Sequence, residues 1–181
     1  MLERIKSFIL HSLAAKFALV AALIALLGGA RAYEELQMAY FPKTYEITGI
    51  ASSVVPVRGM IVTTGAFRQE AAALASGKLS IPLMANHSNN IQDIVGKITA
   101  LDLRFGKTLF KAEIIANKAN RAVISQLLDG TLTDVSIGFI PTEYEQAGNV
   151  VLIREIDLFE ISLVFAGADP TARILTVKEK E

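Results

Sequence analysis

Asp134-Val-Ser-Ile-Gly-Phe139 is the stretch from which the rest of the chain can be organised. A serine stands between β-branched residues, with a glycine two places on. Such a segment predicts a strand over Val135–Ile140. On it, Ser136 and Gly138 share one face, and Val135, Ile137 and Phe139 share the other. The apolar face is expected in a core. The small face is expected to leave room for another backbone to approach.

Upstream, Asn117–Leu128 predicts a helix whose apolar residues are Ala119, Ala122, Val123, Ile124, Leu127 and Leu128, stopped at Asp129-Gly130. Ile91–Ala100 and Thr108–Ala116 read as strands joined by a hairpin turn at Arg104-Phe-Gly-Lys107. Ile81-Pro-Leu-Met-Ala85 is a short apolar strand. It runs directly into His87 and a polar loop of Asn86, Ser88, Asn89 and Asn90. Before it, Gly65–Ala75 predicts a helix ended by Gly77, Met60–Thr63 a short strand, and Arg58-Gly59 a turn. Lys43–Val57 is a strand with an expected break near Gly49.

Downstream, Gln146–Asn149 is a turn, and Val150–Val164 a long alternating strand. On it, Leu158, Glu160 and Ser162 are expected on one face, and Phe159, Ile161 and Leu163 on the other. Glu160 thus falls in an apolar stretch, where an unpartnered carboxylate costs several kcal/mol. Glu155 and Asp157 are expected opposite it. Gly167–Thr171 is a closing turn.

These elements predict an α+β fold: a small, mostly antiparallel β-barrel or bent sheet with two or three packed helices, plus an N-terminal apolar helix. Residues 1–39 form that extension, 40–177 the folded domain and 178–181 a charged tail. In the extension, Phe17–Gly29 carries no charge over 13 residues, against the roughly 20 that span a bilayer. Ala30-Arg-Ala32 has the pattern of a signal cleavage site. A signal, a membrane anchor through residues 8–29, and a packing or assembly helix all fit this segment.

The 181 residues suit about one domain, and 52% are hydrophobic, enough for a core. Lys plus Arg and Asp plus Glu both number 18, so no basic excess points to nucleic acid. No cysteine is present, which removes disulfides and thiolate chemistry. The two histidines, His11 and His87, are too few for a multi-histidine metal site, and no cofactor or metal is expected. There is no Gly-x-Ser-x-Gly elbow and no phosphate loop. What remains is a serine, a histidine and a carboxylate, the parts of a serine-nucleophile hydrolase. Ser136 is the expected nucleophile and His87 its base.

Tyr45-Glu-Ile-Thr-Gly-Ile-Ala-Ser52, Thr64-Gly-Ala-Phe67, Ile81-Pro-Leu-Met-Ala-Asn-His87, Val95-Gly-Lys97, Leu132-Thr-Asp-Val-Ser-Ile-Gly-Phe139 and Leu158-Phe-Glu-Ile-Ser-Leu-Val164 resemble, in order, the motifs of the caudovirus prohead proteases of the HK97 type. Ala168-Asp-Pro-Thr-Ala172 resembles the small-residue–proline motif that follows them. The family's acidic residues near Val57–Met60 are replaced here by Pro56 and Met60, in a segment to which no chemistry is assigned.

The resemblance covers about residues 43–175. It implies a serine endopeptidase with a fold similar to the herpesvirus assembly proteases. Such an enzyme works in the host cytoplasm inside the procapsid. Its protein partners are the major capsid protein and scaffold, which it trims before digesting itself, with self-association expected. Carried over by position, His87, Ser136 and Glu160 would form the catalytic triad, with Glu155 the alternative third member. The competing reading is a catalytically inactive capsid-assembly or membrane-tethered module on the same fold.

Overall fold

In the computed structural model, residues 42–180 are described, with residues 15, 16, 18, 20, 22 and 29 as isolated positions before them. Apart from those positions, the expected N-terminal helix and its signal, anchor and assembly readings fall outside the described residues. Among the described residues no helix is long and apolar enough to cross a membrane.

The unit Lys43–Glu181 is compact by itself. It contains β1 (Thr44–Ser53), β2 (Met60–Val62), α1 (Arg68–Ala75), β3 (Pro82–Ala85), β4 (Ile94–Arg104), β5 (Lys107–Ile115), α2 (Arg121–Leu128), β6 (Asp134–Ala147), β7 (Val150–Val164) and β8 (Arg173–Lys180). Seven strands close into a barrel in the order β7-β3-β4-β5-β1-β8-β6, with β6 returning to β7. The fold of this unit is thus α+β, a closed barrel with two α-helices among the described residues. Most pairs are antiparallel; β3 and β2 run parallel to β7.

The turns follow local chemistry. Phe105 and Gly106, with φ of 52° and 71°, join β4 to β5, and Arg58 and Gly59, with φ of 50° and 79°, make the turn between the bridged pair Val57 and Met60. Gly148, at φ 62°, joins β6 to β7. Helix α2 starts at Arg121 rather than Asn117. The Asn117 side chain accepts from Ala119 and Asn120 N–H, and Asn120 Oδ1 accepts from Asn117 N–H, so asparagines build a turn where helix was expected. Of the expected apolar face, Ile124 and Leu127 are buried, while Leu128 is exposed.

Three further differences bear on the site. Gly49 does not break β1; it lies inside the strand, paired with Phe110 of β5 and Ile174 of β8. An added Cβ would meet the Phe110 ring and stand 2.5 Å from Arg173 O. The glycine is there because a ring lies on it. In β7 the alternation slips: Gly138 faces Glu160 but Phe139 faces Leu158, leaving Phe159 as a bulge residue. Leu158 and Ile161 are both buried and Phe159 is exposed, so Phe159 does not join Ile161 and Leu163. Finally, residues 178–180, read as the start of a charged tail, continue a strand. Lys178–Lys180 belong to β8, paired with β1, and Lys180 Nζ bonds Glu113 Oε1 at 2.9 Å. Their side chains are exposed, while their backbone lengthens the ladder between β8 and β1.

Gly49→Ala is expected to lower stability by about 1–3 kcal/mol, the usual scale of overpacking a filled core. Urea unfolding of the two proteins checks this.

Candidate active site

The site is built on β7 and the strands either side of it. On one side β3 runs parallel, with Met84 beside Ser162 and Ala85 beside Leu163. On the other side β6 runs antiparallel, with Ser136 opposite Ser162 and Gly138 opposite Glu160. Three distant segments therefore lie side by side, carrying His87, Glu160 and Ser136.

At the end of β3, Asn86 N–H donates to Leu163 O at 2.9 Å, prolonging the parallel ladder by one bond. The chain then turns through two left-handed residues, Asn86 at φ 62° and His87 at φ 52°. That conformation suits asparagine and is uncommon for histidine. The polar loop ties itself down: Ser88 Oγ donates to Asp93 Oδ2 at 2.5 Å, and Gln92 N–H donates to Asn90 Oδ1 at 3.0 Å.

The turn carries His87 back over β7, where Nδ1 lies 2.5 Å from Glu160 Oε1. With Nδ1 engaged by a carboxylate, the nitrogen left for a hydroxyl is Nε2. The imidazole is accessible and the carboxylate is not: 41% of the His87 side chain is exposed against 14% of Glu160. Glu160 thus has the partner that its apolar surroundings demand. Gly138 makes this possible. A Cβ there would stand 2.7 Å from Glu160 Cγ and 2.8 Å from Oε1. The space expected at Gly138 for an approaching backbone is filled by the Glu160 side chain instead.

Ser136 is half-buried and makes no side-chain hydrogen bond among the described residues. It lines a cleft of about 150 Å³, mostly apolar, with Val55, Val57, Met60, Ile137 and Phe139. Beyond Asp134, which pairs with Arg173 of β8, the edge of β6 away from β7 has no strand partner among the described residues. The Val57–Met60 segment, given no part in chemistry from sequence, is a wall of this cleft. Only its position in the fold reveals that.

Asp169 forms another wall. It accepts from Ser53 N–H at 2.8 Å, Ser53 Oγ at 3.1 Å, Thr171 N–H at 2.8 Å and Thr171 Oγ1 at 2.7 Å. Burial pushes its carboxyl up, but the hydrogen bonds from Thr171 and Ser53 outweigh burial and hold it below its ordinary value. The Asp169–Thr171 turn is thereby tied to the end of β1.

Glu155 lies elsewhere. It lines a separate, polar cleft with Arg68, Glu143, Glu145 and Arg154. With Asp157 it adds to the burial that pushes the Glu70 carboxyl of α1 up.

The family model for caudovirus prohead serine proteases matches residues 47–181. The chain belongs to this family of serine peptidases. No curated protein matches the sequence. Among solved structures, the chain is similar to the protease of KSHV in complex with a hexapeptide phosphonate inhibitor, at 14% identity and a TM-score of 0.46 over 76% of this chain and 66% of that one. This chain therefore spans just under two thirds of that protein's length. It is also similar to the capsid assembly protease of bacteriophage T4, at 10% identity and a TM-score of 0.45 over 70% of this chain and 99% of that one.

In this prohead protease family member, Asp169 supplies a pH test. A carboxyl held low in the folded state stabilises the fold above its unfolded pKa of about 3.9. That contribution is lost as pH falls through the lower folded value. Asp169→Asn is expected to reduce the urea midpoint at pH 7, with the gap to wild type closing below about pH 4.

Proposed function

We propose that this chain is the endopeptidase of phage head maturation, acting through Ser136, His87 and Glu160 on the scaffolding part of the major capsid protein or a separate scaffold, and on itself. The observation that carries the reading is the His87 Nδ1–Glu160 Oε1 pair at 2.5 Å, held on the strand that also sets the register of Ser136.

Ser136 Oγ attacks the scissile carbonyl, and His87 Nε2 takes its proton. Glu160 holds the ring in the Nδ1–H tautomer and stabilises the imidazolium that forms. The same imidazolium protonates the leaving amine. Water, activated by the returned base, then releases the acyl group. An extended peptide can lie along the edge of β6 that has no strand partner among the described residues, where backbone hydrogen bonds hold the strand and the apolar cleft takes a side chain. A free edge and a solvent-facing imidazole suit a protein substrate better than a small enclosed one.

Such an enzyme works in the host cytoplasm, inside the procapsid, where shell assembly concentrates it with its substrate. Trimming there follows assembly, whereas trimming earlier would remove the scaffold too soon.

Co-expression with the capsid protein encoded beside it, read by intact mass, tests the reading. Wild type is expected to shorten the capsid protein and itself. Ser136→Ala and His87→Ala are expected to leave both chains whole. Glu160→Gln is expected to slow cleavage on the order of 10⁴-fold, the cost of presenting the wrong tautomer. Assembled shells with uncut chains in the presence of folded wild type would instead favour an inactive assembly module.

A further inference from the structure

Ser162 is fully buried, with none of its surface exposed, near the C-terminal end of the strand that carries Glu160. Its hydroxyl is used twice. Oγ–H donates to Glu160 Oε2 at 3.0 Å, and Oγ accepts the backbone N–H of His87 at 3.2 Å. Glu160 therefore has both oxygens engaged, Oε1 by the imidazole and Oε2 by the serine.

The backbone path explains why a side chain is needed there. Along β3 the parallel ladder advances normally, Met84 level with Ser162 and Ala85 with Leu163, and Asn86 N–H reaches Leu163 O. The two left-handed residues then reverse the chain, so that His87 comes back level with Ser162 rather than passing Val164. The backbone N–H of His87 meets no carbonyl in that position. Ser162 Oγ is its acceptor.

We propose that Ser162 is a positioning residue: one buried hydroxyl fixes both the backbone of the histidine and the far oxygen of its carboxylate, setting where Nε2 points. The proposal rests on the triad reading above. Its geometry differs from that of an ordinary buried serine, whose hydroxyl returns to a nearby carbonyl of its own chain segment. Here the hydroxyl links a carboxylate on its own strand to the backbone of the turn that follows β3.

The test uses the full chain and a fluorophosphonate probe. The probe is attacked by an activated serine oxygen, fluoride leaves, and the serine proton passes to the base. Intact mass and peptide mapping give the rate of modification at Ser136. Ser162→Ala is expected to slow modification about 10²-fold, the scale of misplacing a catalytic group by roughly 1 Å, while thermal unfolding stays cooperative with a lowered midpoint, because two buried polar groups lose their partner. Ser162→Cys, which keeps a side chain of similar shape but bonds weakly, is expected to be slowed as well. It serves if the alanine variant does not fold.

In the Ser136→Ala background, the far-downfield proton resonance of the His87–Glu160 hydrogen bond is expected to be present and to be lost on adding Ser162→Ala. Ser162 variants that are modified at the wild-type rate and keep that resonance would overturn the role of Ser162 and leave the triad standing. Folded wild type that is not modified at Ser136 would overturn the triad and this proposal together.

Discussion

A carboxylate among apolar strand residues must be given partners, and Glu160 is the one around which this barrel arranges its neighbours. Its side chain lies over Gly138, the one residue type on β6 that leaves room for it. One oxygen meets an imidazole from the end of β3 and the other a serine hydroxyl two residues along its own strand. Each partner comes from a different requirement of the fold: an absent Cβ, a reversed turn and a buried hydroxyl. An unsatisfied carboxylate costs several kcal/mol, against the few kcal/mol by which a domain is stable at all. Fold and site are therefore not separable at this position.

Strand β7 makes the arrangement possible because it is long enough to pair with three others. Its first half carries β2, its second half carries β3, and β6 runs along nearly its whole length. The bulge at Phe159 lets one strand serve two ends. It shifts the alternation so that Leu158 and Ile161 can both enter the core, and it leaves Glu160 facing Gly138. The aromatic residue displaced by this shift is exposed.

Much of this was legible in the sequence. Alternation and turn residues marked β4, β5, β6 and β7 with the hairpins between them, because each depends on neighbours in the chain. The need of Glu160 for a partner was legible from the apolar residues around it. What the sequence hid depends on contacts across strands. Gly49 looked like a break because the Phe110 ring on it comes from β5. The phase of β7 was misread because a bulge is set by the partner strand. Val57–Met60 and Asp169 gave no sign that they would wall one cleft with Ser136, since that follows from barrel closure. Asparagines shortened α2 by bonding to the backbone locally, a signal that was present but weaker than the apolar period.

The barrel closes at unequal strength around its circumference. Between β8 and β6 the ladder holds a single residue pair, Asp134 with Arg173, and adjoining bonds from Ile174 N–H to Thr133 O and Val135 N–H to Ala172 O. Every other seam has several pairs. Local opening is easiest where few backbone bonds hold an edge, and by that measure this is the thinnest seam of the wall. Amide exchange in native conditions should start there and spread last to β7. The serine strand then has one edge on the thinnest seam of the barrel and the other on the most extensive. The histidine–carboxylate pair sits on the many-bonded side of the serine strand, while the other edge of that strand borders the thinnest seam.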